Sequence, residues 1–247
     1  ILPVFDLVLR NGLLRAATYG RGAFAFTAPK GPSIAVNLEH NLEFGTLCSG
    51  AQFLTLEVFN VGHSNLVVTS VARLMGSNSF SVLATPGTPL VVEPGEHVDF
   101  TVRFQPSTPS AATEVATIRI VSNDPGAPVV DLAATGLLGQ SRLVSAVADA
   151  GDFGAVCVDS FVDRDLVLSN AGLCPLRVTG IASSSAEFVL PGVVAYPLLV
   201  AVGSAVTLPL RLRPTSFGPK AAMITITSTD PGSPRTIALS GDAPPPE

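Results

Sequence analysis

The side chains that could do chemistry are few and scattered. Gly20-Arg21-Gly22 is too short for a phosphate loop and lacks the Lys-Ser/Thr and following helix that a P-loop needs, so it reads as a turn. His40, His63 and His97 fall on loops and a strand edge, and none has a His, Cys or carboxylate at zinc-ligand spacing. They read as exposed polar residues, and no metal ligand is assigned. "SSSAE" (Ser183–Glu187) has no Gly-x-Ser-x-Gly elbow, and no histidine follows it to serve as a base. Two acidic phrases, "SNDPGAP" (Ser122–Pro128) and "STDPGSP" (Ser228–Pro234), lack the further oxygen ligands of a calcium loop. No pair of carboxylates at glycosidase spacing can be picked out. The reading is therefore of no catalytic residues, no cofactor-binding residues and no cofactor.

Composition narrows the remaining classes. The chain has 247 residues, enough for two ordinary domains, and is 47% hydrophobic but only 13% charged. Gly 22 and Pro 21, with no Trp, suit short strands joined by tight turns. A net charge of -5 without a Lys/Arg run excludes a nucleic-acid footprint. The uncharged stretch Val189–Leu210 is long enough to suggest a membrane span. However, Pro191, Pro197 and Pro209 interrupt it, so it reads as two buried strands and a turn, with no membrane insertion. Ile1 in place of Met reads as an internal or processed start, with any signal peptide outside this chain.

Self-similarity organises the chain. Phe44-Gly45 with Cys48 answers to Phe153-Gly154 with Cys157. Asn60-Val61-Gly62 answers to Asn170-Ala171-Gly172, and Phe104-Gln105-Pro106 to Leu212-Arg213-Pro214. Asp124-Pro125-Gly126 answers to Asp230-Pro231-Gly232. The offsets lie between 106 and 110 and the order never changes, so two copies of one domain are present. "FLTLEVFN" (Phe53–Asn60), "VDFTVRF" (Val98–Phe104), "VTLPLRLR" (Val206–Arg213) and "AMITITS" (Ala222–Ser228) alternate with period two, as half-buried strands do. Each copy offers about seven such strands. The fold class expected is all-β: two tandem immunoglobulin-like seven-stranded sandwiches preceded by a β-hairpin segment. In the Asp-Pro-Gly phrases, Asp bonds the backbone ahead, Pro fixes the first corner and Gly takes the left-handed corner of a type II turn.

Missing Trp and missing in-register cysteine pairs argue against an antibody-type domain. The motifs "LEFGTLCSG" and "GDFGAVCVD", "FNVG" and "SNAG", "RFQP" and "RLRP", the Asp-Pro-Gly turns and the closing Gly136 and Gly241 follow one order twice. In this the copies resemble the abnormal-spindle/hydin (ASH) family of immunoglobulin-like domains, relatives of the major sperm protein and PapD-type pilus-chaperone sandwiches, over about Ser33 to Asp242. The resemblance implies interaction or spacer modules and no enzyme. Its members occur in bacterial surface proteins and in ciliary or centrosomal ones, and the Ala/Val/Pro/Gly-rich composition leans to the former. The segment Val4–Phe26 has no counterpart in the second copy, and its Asn11-Gly12 signals a type I′ hairpin. Its "AATYGRGAFAF" resembles the closing strands of sialidase-like repeat propellers; a hairpin packed on the first sandwich is the alternative. The divisions expected are 1–31 (hairpin or propeller tail and linker), 32–137, 138–243 and a Pro-rich tail 244–247.

The three cysteines are an odd set, so at least one thiol is free or bonded to another molecule. A strand over about Phe161–Ser169 separates Cys157 from Cys174. At about 3.3 Å per residue it carries them beyond the roughly 7 Å Cα separation of a disulfide. Cys48 precedes the second strand of copy one, and Cys174 follows the equivalent strand of copy two. In two sandwiches joined end to end, those loops face each other across the junction. A Cys48–Cys174 inter-domain disulfide is the expectation, against three reduced cysteines packed as small apolar residues. Function is then a spacer, adhesion or docking tandem within a larger secreted or cell-surface protein. Its partners would be another protein or neighbouring repeat domains, with carbohydrate as a further class. The alternatives are accessory domains of an upstream propeller hydrolase or carbohydrate-binding protein, and a cytoplasmic ciliary or cytoskeletal scaffold.

Overall fold

The computed structural model describes residues 4–10, 13–18, 22–27, 30–107 and 112–246, the first three segments as backbone. Strands β1 (Val4–Arg10), β2 (Leu13–Thr18) and β3 (Gly22–Thr27) form an antiparallel sheet in chain order. The expected hairpin therefore carries a third strand. Register pairs Arg10 with Leu13, two residues apart across Asn11-Gly12; those two residues, like Gly20-Arg21, lie outside the described ones.

The chain divides into two compact units, Ile1–Leu138, which takes in this sheet, and Gly139–Glu247. In the first, β4 (Ile34–Leu38), β5 (Glu43–Leu47), β6 (Gln52–Asn60), β7 (Leu66–Gly76), β8 (Phe80–Val82), β9 (Leu90–Val92), β10 (His97–Phe104), β11 (Glu114–Ser122) and β12 (Val129–Leu138) make two sheets, ordered β4-β6-β10-β8 and β5-β12-β11-β7-β9. The second repeats this. Its strands β13 (Leu143–Val147), β14 (Asp152–Ala155), β15 (Val162–Asn170), β16 (Leu176–Ser183), β17 (Phe188–Val189), β18 (Leu198–Val200), β19 (Ala205–Leu212), β20 (Gly218–Ser228) and β21 (Arg235–Ala243) order as β13-β15-β19-β17 and β14-β21-β20-β16-β18. Each copy has seven strands of four residues or more, and the alternating phrases quoted above lie on β6, β10, β19 and β20. The short pairs β8, β9 and β17, β18 bring each sandwich to nine.

Period-two alternation builds the cores. Leu54, Leu56 and Val58 of β6 face Ile118 and Ile120 of β11 across the sandwich, with Phe100, Val102 and Phe104 of β10 beside them, all buried. Leu166, Leu168, Leu210, Leu212, Ile224 and Ile226 repeat the arrangement. The step from β4 to β5 changes sheets through a tight turn in which His40, Asn41 and Leu42 all have left-handed φ near 50°. Asp149, Ala150 and Gly151 take the same path in the second copy. Left-handed backbone costs an L-residue roughly 1–2 kcal/mol, so its recurrence marks a turn imposed by the sheet change.

The apolar stretch Val189–Leu210 departs from expectation. It takes in the last residue of β17, the short strand β18 and most of β19, yet Val189, Val193, Tyr196, Leu199 and Val202 are exposed, and only Val200 and Leu210 are buried. The prolines break it into short pieces; β17 and β18 are edge strands while β19 lies inside its sheet, so the stretch is half exposed and not two buried strands. Among the described residues, no helix is long and apolar enough to cross a membrane.

Candidate functional site

The repeated polar residues close one pole of each sandwich. Asn60, fully buried at the end of β6, donates from Nδ2 to the carbonyls of Ser64 (2.8 Å) and Val92 (2.9 Å). Its Oδ1 accepts from the N–H of Gly62 at 3.0 Å and of Ser33 at 3.5 Å. Asn170 repeats all four bonds, to Cys174, Val200, Gly172 and Arg142. The glycine two residues on is required for space: a Cβ on Gly62 would overlap the carbonyl oxygen of Gly31, and one on Gly172 that of Gln140. We expect Gly62→Ala or Gly172→Ala to destabilise its own unit by about 1–3 kcal/mol, measured by denaturant unfolding.

Asp124 reaches further than a turn. Its carboxylate accepts from Gly126 N–H at 2.7 Å and from Ile34 N–H at 2.8 Å, tying the β11–β12 turn to the first residue of β4 in the other sheet. Asp230 does the same with Gly232 and Leu143, each at 2.7 Å. Neither Gly126 nor Gly232 has a positive φ, so the corner is not the expected type II turn. The carboxylate bridging to the glycine N–H shapes it instead, as an Asx turn does. Pro125 and Pro231 occupy the bend between each Asp and its Gly.

Burial pushes the Asp124 carboxyl up, but hydrogen bonds from the N–H groups of Ile34, Gly126 and Ala127 outweigh it and hold it below its ordinary value. The Arg119 hydrogen bond likewise holds Asp131 down. A carboxyl depressed in the folded state stabilises fully above its unfolded pKa and loses that contribution as pH falls through the folded value. The first unit should therefore lose stability as pH drops below about 4. An Asp124→Asn variant should start less stable by about 1–3 kcal/mol and show a flatter acid limb, followed by denaturation midpoints between pH 7 and 3.

The other candidates separate. Glu187 accepts from the backbone N–H of Thr215 (2.6 Å), from its hydroxyl (2.8 Å) and from buried Lys220 (3.1 Å), so it anchors the β19–β20 loop. Ser183 Oγ donates to the Ser185 carbonyl within its own loop. His40 sits in the left-handed turn, and His63 is exposed with its backbone N–H on the Gly31 carbonyl. Cys157 is exposed and its thiol is free, and the nine-residue β15 separates it from Cys174. Neither Cys48 nor Cys174 is a free thiol. Cys48 follows Leu47, which pairs with Leu138, the last residue of β12. The Cys174 N–H donates to the carbonyl of Gln140, just ahead of β13.

One grouping escaped the sequence reading. On the outward face of β6 and β10, Glu57 pairs with Asp99 and Phe59 with His97. The ligand atoms of Glu57, His97 and Asp99 lie within 4.8 Å of one another. His97 and Asp99 are neighbours on one strand, but Glu57 lies forty residues before His97, so linear spacing hid the group of three; the visible signal was the outward half of each alternation. Each unit also has a cleft at the same place, beside β8 or β17. The first, about 330 Å³, is lined by Val71, Arg73, Asn78, Phe80 and Val82. The second, about 400 Å³, is lined by Ile181, Ser183, Phe188, Val189, Leu190 and Ile224.

No protein-family model and no curated protein matches the chain. Among solved structures, the D00-D0 domain of Intimin is similar at 12% identity and a TM-score of 0.36, over 85% of this chain and 99% of that one. A protein of unknown function from Porphyromonas gingivalis is 16% identical at a TM-score of 0.34, over 85% and 99%. The ASH/PapD-like domain of human CEP192 is 11% identical at 0.31, over 46% and 89%. The fold assignment rests on the sheets themselves: the chain holds two immunoglobulin-like β-sandwiches of identical strand order in tandem.

Proposed function

We propose that the chain is a non-catalytic spacer and docking module of a larger secreted or cell-surface protein. The observation that carries this reading is the division of labour between the copies. Asn60/Asn170, Gly62/Gly172 and Asp124/Asp230 recur and tie strands together at the poles. On the outer faces Arg103 recurs as Arg211, but Glu57 and Asp99 give way to Val167 and Thr207, and Arg119 and Asp131 to Thr225 and Thr236, as they would where one scaffold is reused to present different surfaces. Docking would use the strands that are incompletely covered. β8 pairs with β10 only at Val102–Phe104, and β17 with β19 only at Arg211 and Leu212. The remaining outer edges suit an added strand from a protein partner, which needs backbone pairing more than special side chains.

A Cys48–Cys174 disulfide would stiffen the pair. Supporting it, each cysteine lies within its own unit beside the segment that joins the units, and Cys157 alone is a free thiol. Its formation removes two protons and two electrons from the thiols, and a disulfide-bearing oxidant of an extracytoplasmic compartment accepts the electrons. Non-reducing peptide mapping should join the Cys48 and Cys174 peptides and find Cys157 alkylated. A Cys157 link would overturn the pairing. Solution scattering of the unreduced protein should fit one rigid particle and broaden after reduction; independently tumbling units before reduction would rule out the spacer.

A further inference from the structure

We propose that Glu57, His97 and Asp99 form a site for a divalent metal ion of the zinc class on the outer face of the first sandwich. The three side chains stand on the paired strands β6 and β10, Glu57 directly opposite Asp99 and His97 two residues before it on the same face. His97 Nε2 and Asp99 Oδ1 are 3.7 Å apart. Two ligands about 2.1 Å from one tetrahedral zinc stand about 3.4 Å apart, so a small rotation of either side chain closes the gap. One imidazole nitrogen and two carboxylate oxygens are a donor set suited to zinc, and the exposed face leaves a fourth position for water.

The surroundings hold two of these ligands in place. The Phe59 ring stacks on the His97 ring at 4.9 Å and 26°, which restricts the imidazole plane. Asn37, on the neighbouring strand β4, donates to Glu57 Oε2 at 2.6 Å and leaves the other oxygen available. This is the outer-shell orientation that bound metals use.

Electrostatics point the same way. Like charges directly opposite on neighbouring strands are destabilising, and a cation between them removes that cost. Among the described residues, His97 is the one basic side chain in an ion pair with either carboxylate. Arg103, farther along the same face, is turned to Ser81. The second copy supplies an internal control. At the same registers it carries Val167 opposite Thr207 and Ser169 opposite Ala205, with Ala146 in place of Asn37. The fold thus does not call for the acidic pair, the histidine or the asparagine; the first copy alone has them.

The test is calorimetric titration of the whole chain with zinc chloride in a non-chelating buffer. We expect one equivalent bound per chain. The comparison variant combines Glu57→Val, His97→Ala and Asp99→Thr, the residues that the second copy carries, so the fold should survive, checked by its unfolding curve. Outer-shell partners alone are worth about 10–100-fold in metal affinity, so Asn37→Ala should weaken zinc by about tenfold and the triple variant by more than 100-fold. His40→Gln and His63→Gln should leave binding unchanged. Zinc binding that survives in the triple variant would overturn the site, as would calcium binding as tight as zinc, which would mean attraction to bare carboxylates without the imidazole.

Discussion

Replacing Asn170 with Leu is expected to destabilise the second unit by about 4 kcal/mol, near the upper end of single-residue effects. The side chain is buried, and its amide and carbonyl serve four backbone groups from three separate segments. Leu has similar volume, so packing is roughly kept while the carbonyls of Cys174 and Val200 lose a donor and the Gly172 and Arg142 N–H groups lose an acceptor. A buried polar group left without a partner costs about 1–3 kcal/mol, and four such groups cannot all relax to water. The backbone of Asn170 is held as well, to Ser204 and Gly203, so the segment cannot slide away to find solvent. Asn170→Asp separates the two halves of the effect. It retains the acceptor but turns a carboxylate towards two carbonyl oxygens, and should be at least as damaging at pH 7. The equivalent changes at Asn60 should reproduce both results in the first unit. Urea unfolding with probes specific to each unit would show it; a loss below about 1 kcal/mol in both would mean that water replaces the asparagine.

Why some of this was legible and some not follows from the range of each interaction. Asn60 and Asn170 stood out because the Asn-x-Gly phrase is local and repeated, and Gly62 and Gly172 because they belong to it, although the backbone that crowds them lies some thirty residues earlier in the chain. The alternation of Leu54, Leu56 and Val58 is a short-range signature of a half-buried strand, so the sandwich could be read directly. The bond from Asp124 to Ile34 spans 90 residues and depends on which strand crosses to which sheet. Nothing in the local phrase distinguishes such a tie from a simple turn. The Glu57, His97 and Asp99 grouping is hidden for the same reason, since it exists only in the register between β6 and β10. Pole residues of one copy were recognisable by comparison with the other. Face residues present in a single copy had no such comparison.

Phe104→Ala should cost the first unit about 3–5 kcal/mol, the range for emptying a buried aromatic site. Phe104 is fully buried, and its ring centroid lies 4.6 Å from that of Phe80 and 5.5 Å from that of Phe44. Phe44 and Phe80 are themselves in edge contact at 5.6 Å. Removing one ring therefore leaves a cavity walled by two others that are fixed by strand backbone and cannot collapse inward far. The second copy tells how the site can be refilled. There Leu212 takes the place of Phe104, so Phe104→Leu should lose less than half as much. Gly136 explains the fit from the other side: a Cβ there would come within 2.7 Å of the Phe104 ring, as one on Gly241 would come within 2.5 Å of Leu212. Gly136→Ala alone should thus be destabilising, since the ring has no room to withdraw. In the Phe104→Ala background the same methyl enters the cavity, and the change should become neutral or stabilising. A double-mutant cycle on chemical unfolding reads this reversal of sign directly, because contacting residues couple while independent ones add. Simple additivity of the two losses would show that the ring and the glycine do not share the space between β10 and β12.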